Sequence, residues 1–295
     1  MKKYFLSPLL FCSIFAAAQS TMPDTDIFMA DLKLGDSTVS IGEFTNITDR
    51  NGYDNQPYFL QDGSIYYVSV RDEQADIYKY DALSGKITRI THTPEDEYSP
   101  MITPDGEYIS VVRVEKDSTQ RLWKFPINGD EPQVILPNIT GIGYYAWVDE
   151  NWLALYMIGD TSALQIADIR QGKGFIGSTH IGRSLHGKVS DYLAFNNEDG
   201  GIYISSYADK ESVQPLMEPQ RFLSLPEGTK DFAITPTGVF IASDGSKIMK
   251  FDIKHDVKWV EVADLAGTRA ENFYRIAISP DGTRIAIVVY SGEKP

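Results

Sequence analysis

A four-strand pattern that occurs twice between residues 55 and 136 constrains the fold of this 295-residue chain more than any other feature. Each copy begins with an apolar run that ends in Asp-Gly, first at Asp62 and Gly63 and then at Asp105 and Gly106. Three further β-rich runs follow in each copy, separated by turn residues. A repeat of about 40 to 45 residues with four strands is typical of a β-propeller blade. The sequence therefore predicts an all-β fold.

The number of blades follows from the spacing of the first turn in each repeat. These turns fall near Gly63, Gly106, Glu150, Ser190, Gly238 and Gly282. Six turns predict a six-bladed β-propeller. The sixth repeat has only two strands before the chain stops, and two β-rich runs, residues 26–30 and 39–45, precede the first full blade. We expect these N-terminal strands to complete the last blade, because ring closure removes sheet edges that would otherwise aggregate.

Two of the turns resemble those of a known repeat family. Thr103 to Gly106 and Ser279 to Gly282 read Thr-Pro-Asp-Gly and Ser-Pro-Asp-Gly, which resemble the Pro-Asp-Gly turn of TolB-like propeller repeats. Asp-Gly predicts a two-residue hairpin turn here, because Gly accepts a positive φ without steric cost. The resemblance implies a protein that binds partner segments at the mouth of its central channel. It does not extend to the additional N-terminal domain of TolB, so the identity of a partner does not carry over.

The N-terminus has the pattern of a signal peptide. Two lysines precede an apolar run from Tyr4 to Ala18, which is too short to span a membrane. We expect residues 1–20 to be removed and residues 21–295 to form one periplasmic or secreted propeller domain without a transmembrane segment. Phe11 precedes Cys12 where lipoprotein signals carry a small residue, so we expect no lipid anchor at Cys12.

The charge of the chain excludes one class of partner. The formal net charge is −14, and removal of two signal-peptide lysines would make it −16. A chain this acidic repels nucleic acid and anionic lipid headgroups. We expect a monomer whose partner is a protein, a peptide or another component of the cell envelope.

A candidate binding site emerges when the six repeats are aligned on their turns. The residues that begin the innermost strands are Gln56, Ser99, Gly143, Arg183, Asp231 and Arg275. One position earlier lie Asn55, Tyr98, Ile142, Gly182, Lys230 and Tyr274. Arginine offers a forked donor for carboxylates and tyrosine a rigid amphipathic surface. We therefore predict that this mouth, with His186 below it, binds an acidic peptide segment or a small anionic ligand. The alternative is that these are residues at the starts of strands, hydrated by channel water, with no ligand.

Enzymatic function is less well supported by the residues. The chain has no Gly-x-Ser-x-Gly nucleophile elbow, and its Ser184 and His186 lie where an innermost strand is expected. Its four histidines are spread over the repeats without carboxylates at ligand spacing, so we predict no cofactor and no metal. Two alternatives stay open: a metal-dependent hydrolase or lyase centred in the channel, and a purely structural envelope protein.

Overall fold

The computed structural model describes residues 22–127, 131–189, 192–206 and 218–292. These residues form β-strands, turns and loops, with no α-helix among them. In the same four ranges, no helix has the length and hydropathy needed to cross a membrane. The signal peptide, Cys12 and the fourth turn at Ser190 lie outside the described residues.

The strands form six antiparallel sheets, as the six repeats predict. The N-terminal strands are β1 (Thr25–Leu34), β2 (Val39–Ile41) and β3 (Thr45–Asn46). Blade one contains β4 (Asp54–Phe59), β5 (Ile65–Arg71), β6 (Gln74–Tyr80) and β7 (Ile87–Arg89). Blade two contains β8 (Asp96–Ile102), β9 (Tyr108–Val114), β10 (Gln120–Pro126) and β11 (Gln133–Val134). Blade three contains β12 (Ile142–Trp147), β13 (Trp152–Met157), β14 (Ala163–Asp168) and β15 (Lys173–Thr179).

The second half of the ring repeats this order. Blade four contains β16 (Ile181–Val189), β17 (Tyr192–Asn197), β18 (Gly201–Ser206) and β19 (Gln220–Ser224). Blade five contains β20 (Phe232–Ile234), β21 (Phe240–Asp244), β22 (Lys247–Phe251) and β23 (Val260–Asp264). Blade six begins with β24 (Phe273–Ile278) and β25 (Arg284–Tyr290). In blades one to five, consecutive strands pair with each other from the innermost to the outermost.

Blade six is completed by the N-terminal strands, which confirms the predicted closure of the ring. Strand β1 pairs antiparallel with β25 from Thr25 opposite Tyr290 to Asp31 opposite Arg284. Strands β2 and β3 both pair with β1 on its other side. Because the two ends of the described chain share one sheet, the ring has no open blade.

The hydrophobic core consists of six clusters, one at each contact between neighbouring blades of the described chain. At the contact between blades six and one, for example, the fully buried Ile27 packs with Ile65, Tyr67 and Val288. The other five clusters repeat this arrangement around the ring. Each blade therefore buries both of its faces, and this holds the innermost strands in fixed positions around the central axis.

The turns that carry the family resemblance differ from the predicted two-residue hairpin. The backbone N–H of Thr103 donates to the carbonyl of Tyr108 at 3.0 Å, so four residues form the loop. The Thr103 hydroxyl accepts a hydrogen bond from the backbone N–H of Tyr108, also within this loop. Gly106 adopts a φ of 77°, as a left-handed turn position requires. The prediction of a two-residue turn was wrong because side-chain capping stabilises the longer loop.

Candidate functional site

The six innermost strands enclose a cavity of about 420 Å³, which we call the central channel. Its wall contains residues of β4, β8, β12, β16, β20 and β24. All six strands run in the same direction along the channel, so equivalent positions lie at similar depths. Polar side chains line the end where the strands begin, at Gln56, Ser99, Tyr144, Arg183, Asp231 and Arg275. Apolar side chains dominate the wall farther along the strands.

Two arginines share one carboxylate at the polar end. Nη2 of Arg183 lies 3.8 Å from Oδ2 of Asp231, and Nε of Arg275 lies 3.7 Å from the same oxygen. We call Arg183 and Arg275 the arginine pair. His186 makes a hydrogen bond that requires no positive charge, so the charged residues among the described side chains of the channel wall are these two cations and one anion. The described part of the wall thus carries one excess positive charge inside a protein whose net charge is −14.

The hydrogen-bonding capacity of the arginine pair is largely unused. Each guanidinium has five N–H donors. Among the described residues, Arg183 donates only to the backbone oxygen of Tyr274, and Arg275 only to the hydroxyl of Tyr144, both at 3.4 Å. The Nε atoms of both arginines are buried and have no hydrogen-bond partner in the described chain. A buried cationic donor without an acceptor is energetically costly, so the pair is suited to an additional anionic acceptor.

The arginine pair changes the pKa of a neighbouring side chain, Tyr144. The guanidinium carbon of Arg275 lies 5.4 Å from the centre of the Tyr144 ring. Burial on its own would raise the pKa of Tyr144, but Arg275 and then Arg183 lower it below the ordinary tyrosine value. Burial on its own would likewise lower the pKa of Arg275, but Tyr144 and Asp231 raise it. Arg275 therefore remains charged throughout the ordinary pH range, as arginine side chains in proteins generally do.

Ser184 and His186 lie close together but are not arranged for nucleophilic catalysis. The Ser184 hydroxyl is 3.4 Å from Nε2 of His186, and it donates to Oδ1 of Asp231 at 3.0 Å. Nε2 of His186 lies 2.8 Å from the carbonyl of Phe232, and a carbonyl accepts only from a protonated nitrogen. That nitrogen cannot also accept the serine proton. Burial lowers the pKa of His186, so the ring is neutral and contributes no charge to the channel.

Gln56 and Ser99 connect the first two blades at the same depth. The backbone N–H of Ser99 donates to Oε1 of Gln56 at 2.6 Å. Both residues have left-handed backbones, with φ values of 56° and 53°, and both precede a proline. Such a conformation is costly for residues with side chains. Its occurrence at equivalent places in two repeats marks a strained rim at the polar end of the channel.

The ten residues predicted at the mouth separate into two groups. Gln56, Ser99, Arg183, His186, Asp231 and Arg275 line the channel. Asn55, Tyr98, Lys230 and Tyr274 do not belong to the channel wall. Asn55 is buried and donates to the hydroxyl of Tyr274, whose ring stacks on Tyr290, while Lys230 is exposed. These four side chains therefore support the rim or face solvent.

Tyr144 was not predicted as a channel residue, because counting back from the turn placed Gly143 there. The β-bulge between Ile142 and Tyr144 is not the cause, because β24 has a similar shift just before Arg275 and the count holds there. The backbone N–H of Val148 closes the turn by donating to the carbonyl of Trp152, as Thr103 does in blade two. Tyr144 lies four residues before Val148, as Ser99 lies four before Thr103, so the turn anchor at Glu150 is one residue too early.

Metal binding is not supported by the donor groups of the described ranges. Within residues 22–127, 131–189, 192–206 and 218–292, no three His, Cys, Asp or Glu side chains form a group suited to a metal ion. His186 and Asp231 are the residues of these types among the described channel residues. Asp231 accepts a hydrogen bond from Ser184, and His186 donates one to the carbonyl of Phe232.

Comparison with known proteins supports the fold. No protein-family model and no curated protein sequence matches the chain. Among solved structures, a protein assigned as TolB from Agrobacterium tumefaciens is similar, with a TM-score of 0.63 and 16% identity over 92% of this chain and 100% of that one. A gluconolactonase from Xanthomonas campestris has a TM-score of 0.59 and 9% identity, over 92% and 99% of the two chains.

A third similar structure is an oligogalacturonate lyase in complex with manganese. Its TM-score is 0.57 and its identity 13%, over 84% of this chain and 80% of that one. The resemblance to TolB-like propellers is thus confirmed at the level of the six-bladed fold. Because binding proteins and enzymes share this fold, function has to be argued from the channel.

Proposed function

We propose that this protein is a non-catalytic binding protein whose central channel holds a carboxylate at the arginine pair. The observation that carries the proposal is that two partly buried arginines share a single carboxylate, and that their buried Nε atoms have no hydrogen-bond partner in the described chain. An acidic segment of a protein partner, or an anionic component of the cell envelope, would supply the missing acceptor. The similarity to TolB supports the first of these sources.

The energetics of the channel favour an anion over water at this position. Arg275 has a side chain that is only 13% exposed, so its charge is poorly hydrated. Hydrogen bonds between arginine and carboxylate are shorter and about twice as strong as bonds between neutral groups. A ligand carboxylate would also balance the excess positive charge of the wall. Binding therefore requires no proton transfer.

The location of the protein belongs to the same proposal. Residues 1–20 would direct export and be removed, which leaves one propeller domain of residues 21–295 in the periplasm or outside the cell. A partner would then be another exported protein or an envelope component. The strongly acidic character of the rest of the chain restricts anions to the channel, because other parts of the surface repel them.

The test is calorimetric titration with an N-acetylated, C-amidated tetraglutamate peptide. We expect the double variant Arg183→Gln and Arg275→Gln to bind it at least tenfold more weakly than the wild type. The matched control is Arg221→Gln with Arg269→Gln, since both of these arginines are exposed and pair with surface carboxylates. Equal affinity of the wild type and the channel variant would contradict the proposal.

A further inference from the structure

The part of the channel beyond the arginine pair is apolar and only partly packed. Its wall includes Met101, Ile102, Trp147, Ile234, Ala277 and Ile278. These six side chains retain intermediate exposure, unlike the fully buried residues between the blades. An apolar surface that lines a cavity and is not covered by the protein itself is a favourable place for an apolar part of a ligand.

The two halves of the channel are continuous along each strand. On β24, Arg275 and Ile278 are three residues apart, which corresponds to about 10 Å along an extended strand. On blade five, Asp231 precedes Ile234 by the same number of residues. A ligand held at the arginine pair therefore reaches the apolar wall within about 10 Å.

We infer that the ligand of this channel is an amphipathic carboxylate, with its charged group at the arginine pair and its apolar body against the wall that contains Ile234 and Ile278. The inference rests on the proposed anion-binding function and names the ligand class. The cavity of about 420 Å³ lies within the range of small-molecule sites, which combine mostly apolar walls with a few placed polar groups. A purely anionic ligand would leave the apolar wall uncovered, and a purely apolar ligand would leave the arginine pair without an acceptor.

Two sources supply this chemistry, a free monocarboxylic acid and the C-terminal carboxylate of a peptide that ends in an apolar residue. The probes for the first are butanoate, hexanoate and octanoate, with hexan-1-ol as an uncharged analogue of hexanoate. The probes for the second are the tripeptide Ala-Leu-Leu as the free acid and as its amide. Binding of only the monocarboxylates assigns a small-molecule ligand, and binding of only the free-acid tripeptide assigns a chain terminus.

The decisive measurement is how affinity depends on chain length. We expect the affinity of the wild type to rise about fourfold for each methylene group that the channel buries. We expect hexan-1-ol to bind at least tenfold more weakly than hexanoate. For the tripeptide, the free acid should bind at least tenfold more tightly than the amide if a chain terminus is the ligand.

Variants of the apolar wall keep the inference testable on the same folded protein. The double variant Ile234→Thr with Ile278→Thr should weaken the binding of octanoate more than that of butanoate, so that affinity rises less steeply with chain length than in the wild type. Its matched control is Ile176→Thr with Ile253→Thr, because both of these isoleucines are exposed and lie outside the channel. The control should retain the full dependence.

The outcomes separate this inference from the proposed function. Suppose that tetraglutamate or butanoate binds through the arginines, but affinity does not change from butanoate to octanoate and does not differ between the free-acid tripeptide and its amide. The inference is then overturned and the proposed function stands. A chain-length dependence as steep in the Ile234 and Ile278 variant as in the wild type also overturns the inference. If no carboxylate of any kind binds, both are overturned.

Discussion

Nε of Arg275 lies 3.7 Å from Oδ2 of Asp231, close enough to be attracted electrostatically but too far for a hydrogen bond. Arg183 contacts the same oxygen from 3.8 Å. Ser184 donates a hydrogen bond to the other carboxylate oxygen at 3.0 Å, so neither oxygen of Asp231 is free of contacts. Asp231 therefore keeps two like charges together without satisfying them, and it repels any ligand carboxylate that approaches the pair.

The first prediction is that Asp231→Asn tightens anion binding. The substitution removes the competing negative charge and keeps an oxygen that can accept from Ser184. With an effective dielectric constant of about 20 and a separation of about 5 Å, Coulomb's law allows a gain of about 3 kcal/mol. We expect at least a tenfold increase in affinity for tetraglutamate, measured by calorimetry.

The matched control for this charge change is Asp199→Asn. Asp199 is also paired with an arginine, Arg221, but both side chains are exposed and lie outside the channel. The control should bind as the wild type does. If Asp231→Asn weakens binding, Asp231 contacts the ligand favourably, and the description of the site as an unsatisfied arginine pair is wrong.

Most of the fold could be predicted because blades repeat in sequence. The Asp-Gly turns at Gly106 and Gly282 set the register, and the strands between them follow from alternating apolar residues. Even the completion of blade six could be inferred from residues 26–30, because a two-stranded last blade leaves an edge unpaired. The loop at Thr103 was missed, because side-chain hydrogen bonds rather than chain length decide its geometry.

The site could be predicted only in part. Arg183, Asp231 and Arg275 came from counting along repeats, and counting works wherever the turn is placed correctly. In blade three the turn begins at Val148, one residue later than the anchor at Glu150 implies, so the count gave Gly143 in place of Tyr144. Counting also gives the position of a residue along the channel but not the direction in which its side chain points. Lys230 and Tyr98 therefore could not be distinguished from the residues that line the channel. Direction depends on the local twist and on packing between blades.

The second prediction concerns the pH dependence of binding. The arginine pair lowers the pKa of Tyr144 below the ordinary tyrosine value, so a phenolate forms there at a lower pH than on a free tyrosine side chain. That phenolate competes with a ligand carboxylate for the same guanidiniums. We expect affinity for tetraglutamate to be constant near pH 7 and to fall as pH rises toward 10, with the arginines still protonated.

Two tyrosine variants test this cause. Tyr144→Phe should retain its affinity across the alkaline range. Tyr156→Phe is the control, because Tyr156 contacts the Tyr144 ring edge-on but burial raises its own pKa. It should lose affinity at high pH as the wild type does. A fall of equal size in all three proteins would show that Tyr144 does not control it.

The third prediction is that Glu97 makes the protein less stable as pH rises. Its side chain is fully buried between blades one and two, and Oε2 has no partner in the described chain. Burial raises the pKa of Glu97 to about 7. Hydrogen bonds with Thr93 and Thr91 lower this pKa in part, and the negative charge of Asp76 raises it slightly further.

The sign follows from proton binding in the two states. Between pH 4.5 and about 7 the folded protein retains a proton that the unfolded chain has lost, so the free energy of unfolding falls through this range, by about 3 kcal/mol in total. Glu97→Gln should remove this decrease and be more stable than the wild type at pH 8. The measurement is urea unfolding at pH 5 and pH 8.

The control for Glu97 is Glu107→Gln, an exposed glutamate in the adjacent loop. It should show the same difference between the two pH values as the wild type. Because other carboxylates titrate identically in all three proteins, only the difference between variants reports on Glu97. A pH dependence in Glu97→Gln equal to that of the wild type would place the proton on another group.

The fourth prediction is that β1 closes the ring and stabilises all six blades. Ile27 on this strand pairs with Val288 and is completely buried against blade one. Replacing it with alanine leaves a cavity at the junction between the two ends of the chain, and we expect a loss of about 2 to 5 kcal/mol in one cooperative transition. Ile41→Ala, on the short and only partly buried β2, should cost less stability.

Deletion of residues 21–48 should yield insoluble protein, because it exposes the edge of β25. A truncated chain that stays soluble and unfolds cooperatively would show that the N-terminal strands are not what closes the propeller.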